Sequence, residues 1–431
     1  MNKRRKKIHE QIFIGCSMGL AFFMPVFQRI LPSIIFLMFL NWIIEGGITR
    51  IPAIFKEKNK MLAFSFIAFY ILYLVGMLYS KNMKYGFFDL QVKFSLLLFP
   101  IIFATIEKDF PLQKLITNVF KALVAGCLTG TLLLLGIATI TFINSHDLQV
   151  FFYIAFSKFI HPSYLSLYLN LAVGILAYHL INKKQNLSSG SRILFLALAF
   201  YFSFVIILLS SKAGIFSLLL LTLMITIYLL KANNQVWKGL IFISLVIAAF
   251  YIGYHFLPSI AGRFKRAESA ITDQNRTAPE NMESNSERLV VWKAGIKIIR
   301  ENPVFGVGTG DVKDALLSEY QKENKMLVYN LRLNAHNQYI QTYIALGIPG
   351  ILLLVLFLIL PGWWSLRNKQ YLYFSFLVVF AFNILVESML EVQAGVIYYA
   401  FFNALFFFAL ATTEGDPVPE INRVEDIKAI D

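Results

Sequence analysis

Charge is scarce in this chain. Only 15% of its 431 residues are Asp, Glu, Lys or Arg, against about 25% in an ordinary soluble domain. Cysteine is nearly absent: Cys16 and Cys127 are the two, each inside an apolar run, so neither a disulfide nor a thiolate metal site is expected. The six histidines are scattered, without H-x-x-x-H or H-E-x-x-H spacing, which argues against a zinc centre. No D-x-D pair occurs to hold another metal. Internal repeats and paired broken helices in matching halves are also missing, and both are marks of many transporters. What abounds is apolar surface, with 58% hydrophobic residues and a mean hydropathy of +0.64. About a dozen bilayer-spanning helices would use roughly 240 such residues. A soluble enzyme, a disordered chain and a coiled coil are excluded, and unbroken apolar runs argue against a β-barrel, whose strands alternate. The expected fold is an all-α polytopic membrane protein.

Apolar runs place spans at about 11–27, 30–47, 61–79, 90–106, 117–143, 162–180, 192–210, 213–230, 237–257, 338–360, 371–388 and 394–412. Asp89 and Lys93 crowd the start of the fourth, and the long fifth run is expected to tilt or to outrun the bilayer. The N-terminus, Lys3 to Lys7 followed by apolar residues, looks like a signal peptide but lacks a small-residue cleavage site, so a first membrane helix is expected. Net charge is +14. Its distribution is topological rather than a sign of nucleic acid: Lys and Arg crowd the loops on the N-terminal side, among them Arg50, Lys56, Lys183, Lys184 and Arg367. The short opposite loops hold only Lys81, Lys84, Lys93, Lys158 and Lys212. Both termini are therefore expected in the cytoplasm. The chain divides into membrane helices over 1–257, one long outer loop over 258–337, further membrane helices over 338–412 and a polar tail over 413–431.

The outer loop is nearly balanced in charge and long enough to suggest function. Its first part, to Ser286, is polar. Ser284-Asn285-Ser286-Glu287 fits a capping box that starts a helix. Leu289, Trp292, Ile296 and Ile299 then form an apolar face, and Asn302-Pro303 ends it. Gly306-Val307-Gly308-Thr309-Gly310 follows. It reads either as a tight turn or as a loop whose backbone N–H groups approach a ligand. No strand precedes it and the spacing is not G-x-G-x-x-G, so it is not a nucleotide fold. The loop closes on Asn334-Ala335-His336-Asn337-Gln338-Tyr339, directly before a span carrying Gly347-Ile348-Pro349-Gly350. A histidine at this boundary exchanges protons near neutral pH, or simply caps a helix.

These residues together resemble the O-antigen ligase and polymerase superfamily. The resemblance rests on Arg288, Trp292, Asn302-Pro303-Val304-Phe305-Gly306-Val307-Gly308, His336-Asn337-Gln338-Tyr339 and Gly347-Ile348-Pro349-Gly350, in that order, within the multi-span plan. It implies a bacterial inner-membrane glycosyltransferase acting on the periplasmic side. The implied donor is an undecaprenyl-diphosphate-linked glycan, and the implied acceptor is lipid A-core or another glycan. It implies His336 as a catalytic residue and Arg288 as a second. Ser211-Lys212-Ala213-Gly214 matches a third position at which the family usually has arginine, so Lys212 keeps the charge but not the fork. No cofactor is implied.

The chemistry agrees. A departing diphosphate needs cations, which Arg288 and Lys212 would supply, and an acceptor hydroxyl needs a base such as His336. A metal-independent, inverting displacement is expected. His161 and Tyr164, in His161-Pro162-Ser163-Tyr164, could line the same cavity or cap a helix, and Asn337, Gly306, Gly308 and Glu387 join the cavity candidates. Glu387 and Glu391 fit either acceptor binding or ion pairing. Ligase is preferred to polymerase. The rivals are a lipid-linked oligosaccharide flippase, which would spread ionisable residues through many spans, and a non-catalytic assembly partner, which would leave His336 replaceable.

Overall fold

In the computed structural model, residues 3–54, 60–107, 109–181, 187–233, 244, 251 and 285–411 are described. Among them the chain is helical, with no strand. The expected span at 237–257, the polar segment up to Ser284 and the tail after 411 lie outside the described residues.

The other expected apolar runs fall in helical chain, the fourth divided between two helices. The first half holds α1 (Lys3–Phe23), α2 (Leu31–Ile44), α3 (Gly47–Ile54), α4 (Lys60–Met77), α5 (Met83–Lys93), α6 (Ser95–Ala104), α7 (Leu112–Ser145), α8 (Tyr153–Phe156), α9 (Pro162–Ile181), α10 (Ser189–Leu208) and α11 (Lys212–Asn233). The second half holds α12 (Asn285–Glu301), α13 (Val312–Lys322), α14 (Met326–Asn330), α15 (Gln338–Arg367), α16 (Tyr371–Val386) and α17 (Gln393–Ala411). Among the described residues, six stretches, Met83–Ala104 among them, are long and apolar enough by themselves to cross a membrane, and four shorter helices are apolar too. This is a multi-pass membrane protein.

The long run forms α7, whose 34 residues at 1.5 Å each reach about 51 Å and outrun an apolar layer of about 30 Å. The weak fourth span is two helices broken at Phe94, and its charges turn inward. Lys93, expected in a short outer loop, is the last residue of α5 and fully buried.

Aromatic side chains of α16 and α17 fill the centre. Phe380 lies 4.3 Å from Tyr399 between ring centroids, and Tyr373 stacks on Phe406 at 5.3 Å. The α12–α14 segment sits on one end of this bundle, with α12 packed on α15. The face that α12 buries is not the expected one. Val291, Ala294, Gly295 and Ile298 are buried, whereas Ile296 is 44% exposed. Both stripes have helical spacing, but only the small pair Ala294 and Gly295 admits close contact. A Cβ on Gly295 would lie 2.7 Å from Ile340.

The glycine run takes the tight-turn reading of its two. All of its N–H groups are donated within the protein: Gly306 to the Asn302 carbonyl, Val307 and Gly308 to those of Ile344 and Ala345, Thr309 to that of Gly76, and Gly310 to Ser80 Oγ. Gly306 and Gly308 are therefore a packing device rather than a ligand cradle. The run wedges between α4 and a break in α15, where Gly347 adopts φ 61° and ψ −150°. A side chain at Gly347 would meet the Val304 carbonyl oxygen at 2.2 Å, so glycine is required twice over, by conformation and by space.

Candidate active site at the loop-bearing end of the bundle

The last residues before α15 are shaped by local chemistry. The Asn334 side chain accepts the His336 N–H at 2.9 Å, an Asx turn that lets His336 take a left-handed φ of 43°. For a residue other than glycine that conformation costs about 1 kcal/mol and tends to persist where function requires it. Asn337 then caps α15, its side-chain oxygen accepting the Ile340 N–H at 3.1 Å. Its own N–H donates to Ser388 Oγ at 3.1 Å. The cap thus ties α15 to the turn that joins α16 to α17.

That turn carries Glu387, in extended backbone just beyond α16 and 8% exposed. Its two carboxylate oxygens serve two partners. His336 Nδ1 lies 2.9 Å from Oε1, and Arg288 Nη2, one turn into α12, donates to Oε2 at 3.4 Å. Burial alone would raise the Glu387 carboxyl, but the hydrogen bond from His336 and the nearby charge of Arg288 hold it below the usual carboxylate range. An ionised carboxylate only accepts, so the proton between the pair belongs to Nδ1, and Nε2 is the basic atom of the ring. Imidazole, carboxylate and guanidinium thus meet within about two hydrogen bonds of one another.

His161 opens α9, where its Nδ1 accepts the Ser163 N–H at 3.3 Å, and Tyr164 is buried with its ring 6.2 Å from the imidazole. The capping role is present, and the same imidazole acts electrostatically on Glu387. Lys212 opens α11. That helix packs on α9 and α16, with Asn383 Nδ2 donating to Ser217 Oγ at 2.7 Å and Asn170 Nδ2 to the Gly214 carbonyl at 3.2 Å. These contacts put the starts of α9 and α11 and the end of α16 at the same end of the bundle.

Sequence reasoning passed over Ser388, and it quoted Gln338 in a motif and weighed ion pairing for Glu391 without joining them to a buried charge cluster. Lys93 Nζ lies 2.5 Å from Asp89 Oδ1 and 3.0 Å from Glu391 Oε2. The signal was there: Asp89 and Lys93, like Glu387 and Glu391, are four residues apart in otherwise apolar surroundings, and charges so placed face protein rather than lipid.

Residues 194–355 match the O-antigen ligase family model. That region of the chain is similar to the O-antigen ligase family. Members of that family are membrane glycosyltransferase-like enzymes, ligases or polymerases. The matched region holds Lys212, Arg288 and His336 but stops short of Glu387 and Glu391. Among curated proteins, an uncharacterized protein of Haemophilus influenzae is 24% identical over 323 residues, covering 73% of this chain and 74% of its own.

Proposed function

We propose that this protein transfers a glycan from undecaprenyl diphosphate to an acceptor hydroxyl, such as one on lipid A-core, at the periplasmic face of the bacterial inner membrane. The observation that carries this reading is the single buried carboxylate, Glu387, shared by His336 and Arg288. Glu387 keeps the imidazole oriented with Nε2 as base, as the carboxylate does in a serine-protease triad. Nε2 removes the acceptor proton as the acceptor oxygen attacks the anomeric carbon. The bond from that carbon to the diphosphate oxygen breaks, and its electron pair leaves with the diphosphate. Arg288 spends one N–H on Glu387, and its remaining donors suit phosphate oxygens, which it can grip as a fork. Lys212 adds a point charge. Attack opposite the leaving group inverts the anomeric centre, and the diphosphate departs without a metal.

The test is lipopolysaccharide gel profiling of a deletion strain complemented with wild type or with His336→Ala. A ligase defect leaves free lipid-linked polymer and bare core. A polymerase defect leaves core bearing one repeat unit. A normal profile with His336→Ala removes the base and overturns the reading.

A further inference from the structure

The charge cluster beneath the candidate site takes no part in the transfer described above. Lys93 is fully buried, and its ammonium meets Asp89 at 2.5 Å, Glu391 at 3.0 Å and the Tyr73 ring at 4.7 Å from the centroid. Glu391 Oε1 also accepts from Gln338 Nε2 at 2.9 Å, and the same Gln338 accepts the Leu390 N–H on its Oε1 at 2.8 Å. Gln338 is the first residue of α15, two positions after His336, and Glu391 is four positions after Glu387.

Three charges sealed inside a bundle are a poor way to gain stability. Their desolvation offsets most of their attraction, and apolar residues of equal size often do as well or better. What such a cluster does supply is position, because each hydrogen bond has one length and one direction. Here it joins three pieces of chain that share no helix: α5, the start of α15 and the turn over residues 387–392. Those last two carry the imidazole and the carboxylate. We infer that Lys93, with Asp89, Glu391 and Gln338, is a positioning brace that sets Glu387 against His336 Nδ1, so that loss of the brace misorients the base without removing it. The inference rests on the transfer reading of His336 and Glu387.

Removing one charge would strand the others and threaten the fold. The first variant is therefore the neutral triple Asp89→Asn, Lys93→Met and Glu391→Gln, of nearly equal volume. The second is Gln338→Met, which leaves the charges intact. Both are assayed as full-length protein in proteoliposomes, with an undecaprenyl-diphosphate-linked oligosaccharide as donor and lipid A-core as acceptor. The expected result is a kcat lower by about 10²-fold with the donor KM nearly unchanged, since displacing a catalytic group by about 1 Å has that effect. A second readout needs no turnover: 15N NMR of histidine-labelled protein, with His336→Gln assigning the signal. Wild type should show His336 protonated at Nδ1, and both variants should show mixed tautomers. Wild-type kcat together with an unchanged imidazole signal in either folded variant overturns the brace. If His336→Ala still transfers glycan while the variants disturb the imidazole signal, the transfer reading fails and the brace stands.

Discussion

At the scale of single residues, the candidate site turns on which atoms carry protons. Glu387→Gln keeps the shape but can present an amide N–H to Nδ1, which would put the imidazole proton on Nε2 and leave no base facing the acceptor. The expected loss in kcat is about 10²–10⁴-fold, with the donor KM little changed. Steady-state assays in proteoliposomes would show it, and a KM effect alone would mean that Glu387 only binds. Lys212 poses a different question. Because the family position usually holds arginine, Lys212→Arg should keep or raise activity, whereas Lys212→Met should raise the donor KM through loss of the charge. Equal activity in all three proteins would remove Lys212 from diphosphate binding. Of the candidate residues, His336 and Arg288 were singled out through the resemblance and Glu387 through its charge at a span end. The pairing of both cations with one carboxylate was not legible, because it joins positions 51 and 99 residues apart in the chain.

At the scale of elements, the α12–α13 pair and the break in α15 hold the site from outside. Lys297 on α12 pairs with Glu319 on α13, and Lys322 approaches the same carboxylate at 3.6 Å. The hydrogen bond from Lys297 lowers the Glu319 carboxyl below its usual range. A depressed carboxyl contributes stability above its unfolded value of about 4.3, and that stability is lost as pH falls through the lower folded value. Amide protection in α12 and α13 should therefore hold from neutral pH to about 4.3 and then decline. Lys297→Met should weaken protection at pH 7 and shrink the acid decline, as read by hydrogen exchange. Gly347→Ala tests the other support. It forces a Cβ into the Val304 carbonyl and strains φ 61°, so the glycine run should be expelled and the melting temperature of the detergent-solubilised protein should fall by several degrees. The helices were readable from apolar runs. The buried face of α12 was misread, since two stripes share its helical period and only contact with α15 chooses between them.

For the whole molecule, the proposal requires one orientation. Reporter fusions after Leu331 should be active only outside the cytoplasm, and fusions after Ala411 only inside. The opposite pattern would put His336 on the side where the periplasmic transfer cannot occur.

The sequence alone was enough for the membrane class and the order of helices, and it singled out the His336 and Arg288 segments as candidates. Each of these follows from local properties: apolar length, charge asymmetry, caps and the chemistry of a side chain. Tertiary structure alone decided that Glu387 joins the two cations, that the glycine run closes a helix break instead of holding a ligand, and that Lys93 is buried among carboxylates. Those outcomes depend on which distant segments share a low-dielectric interior, where an unpaired charge or N–H is too costly to persist. Composition and spacing carry no record of that pairing.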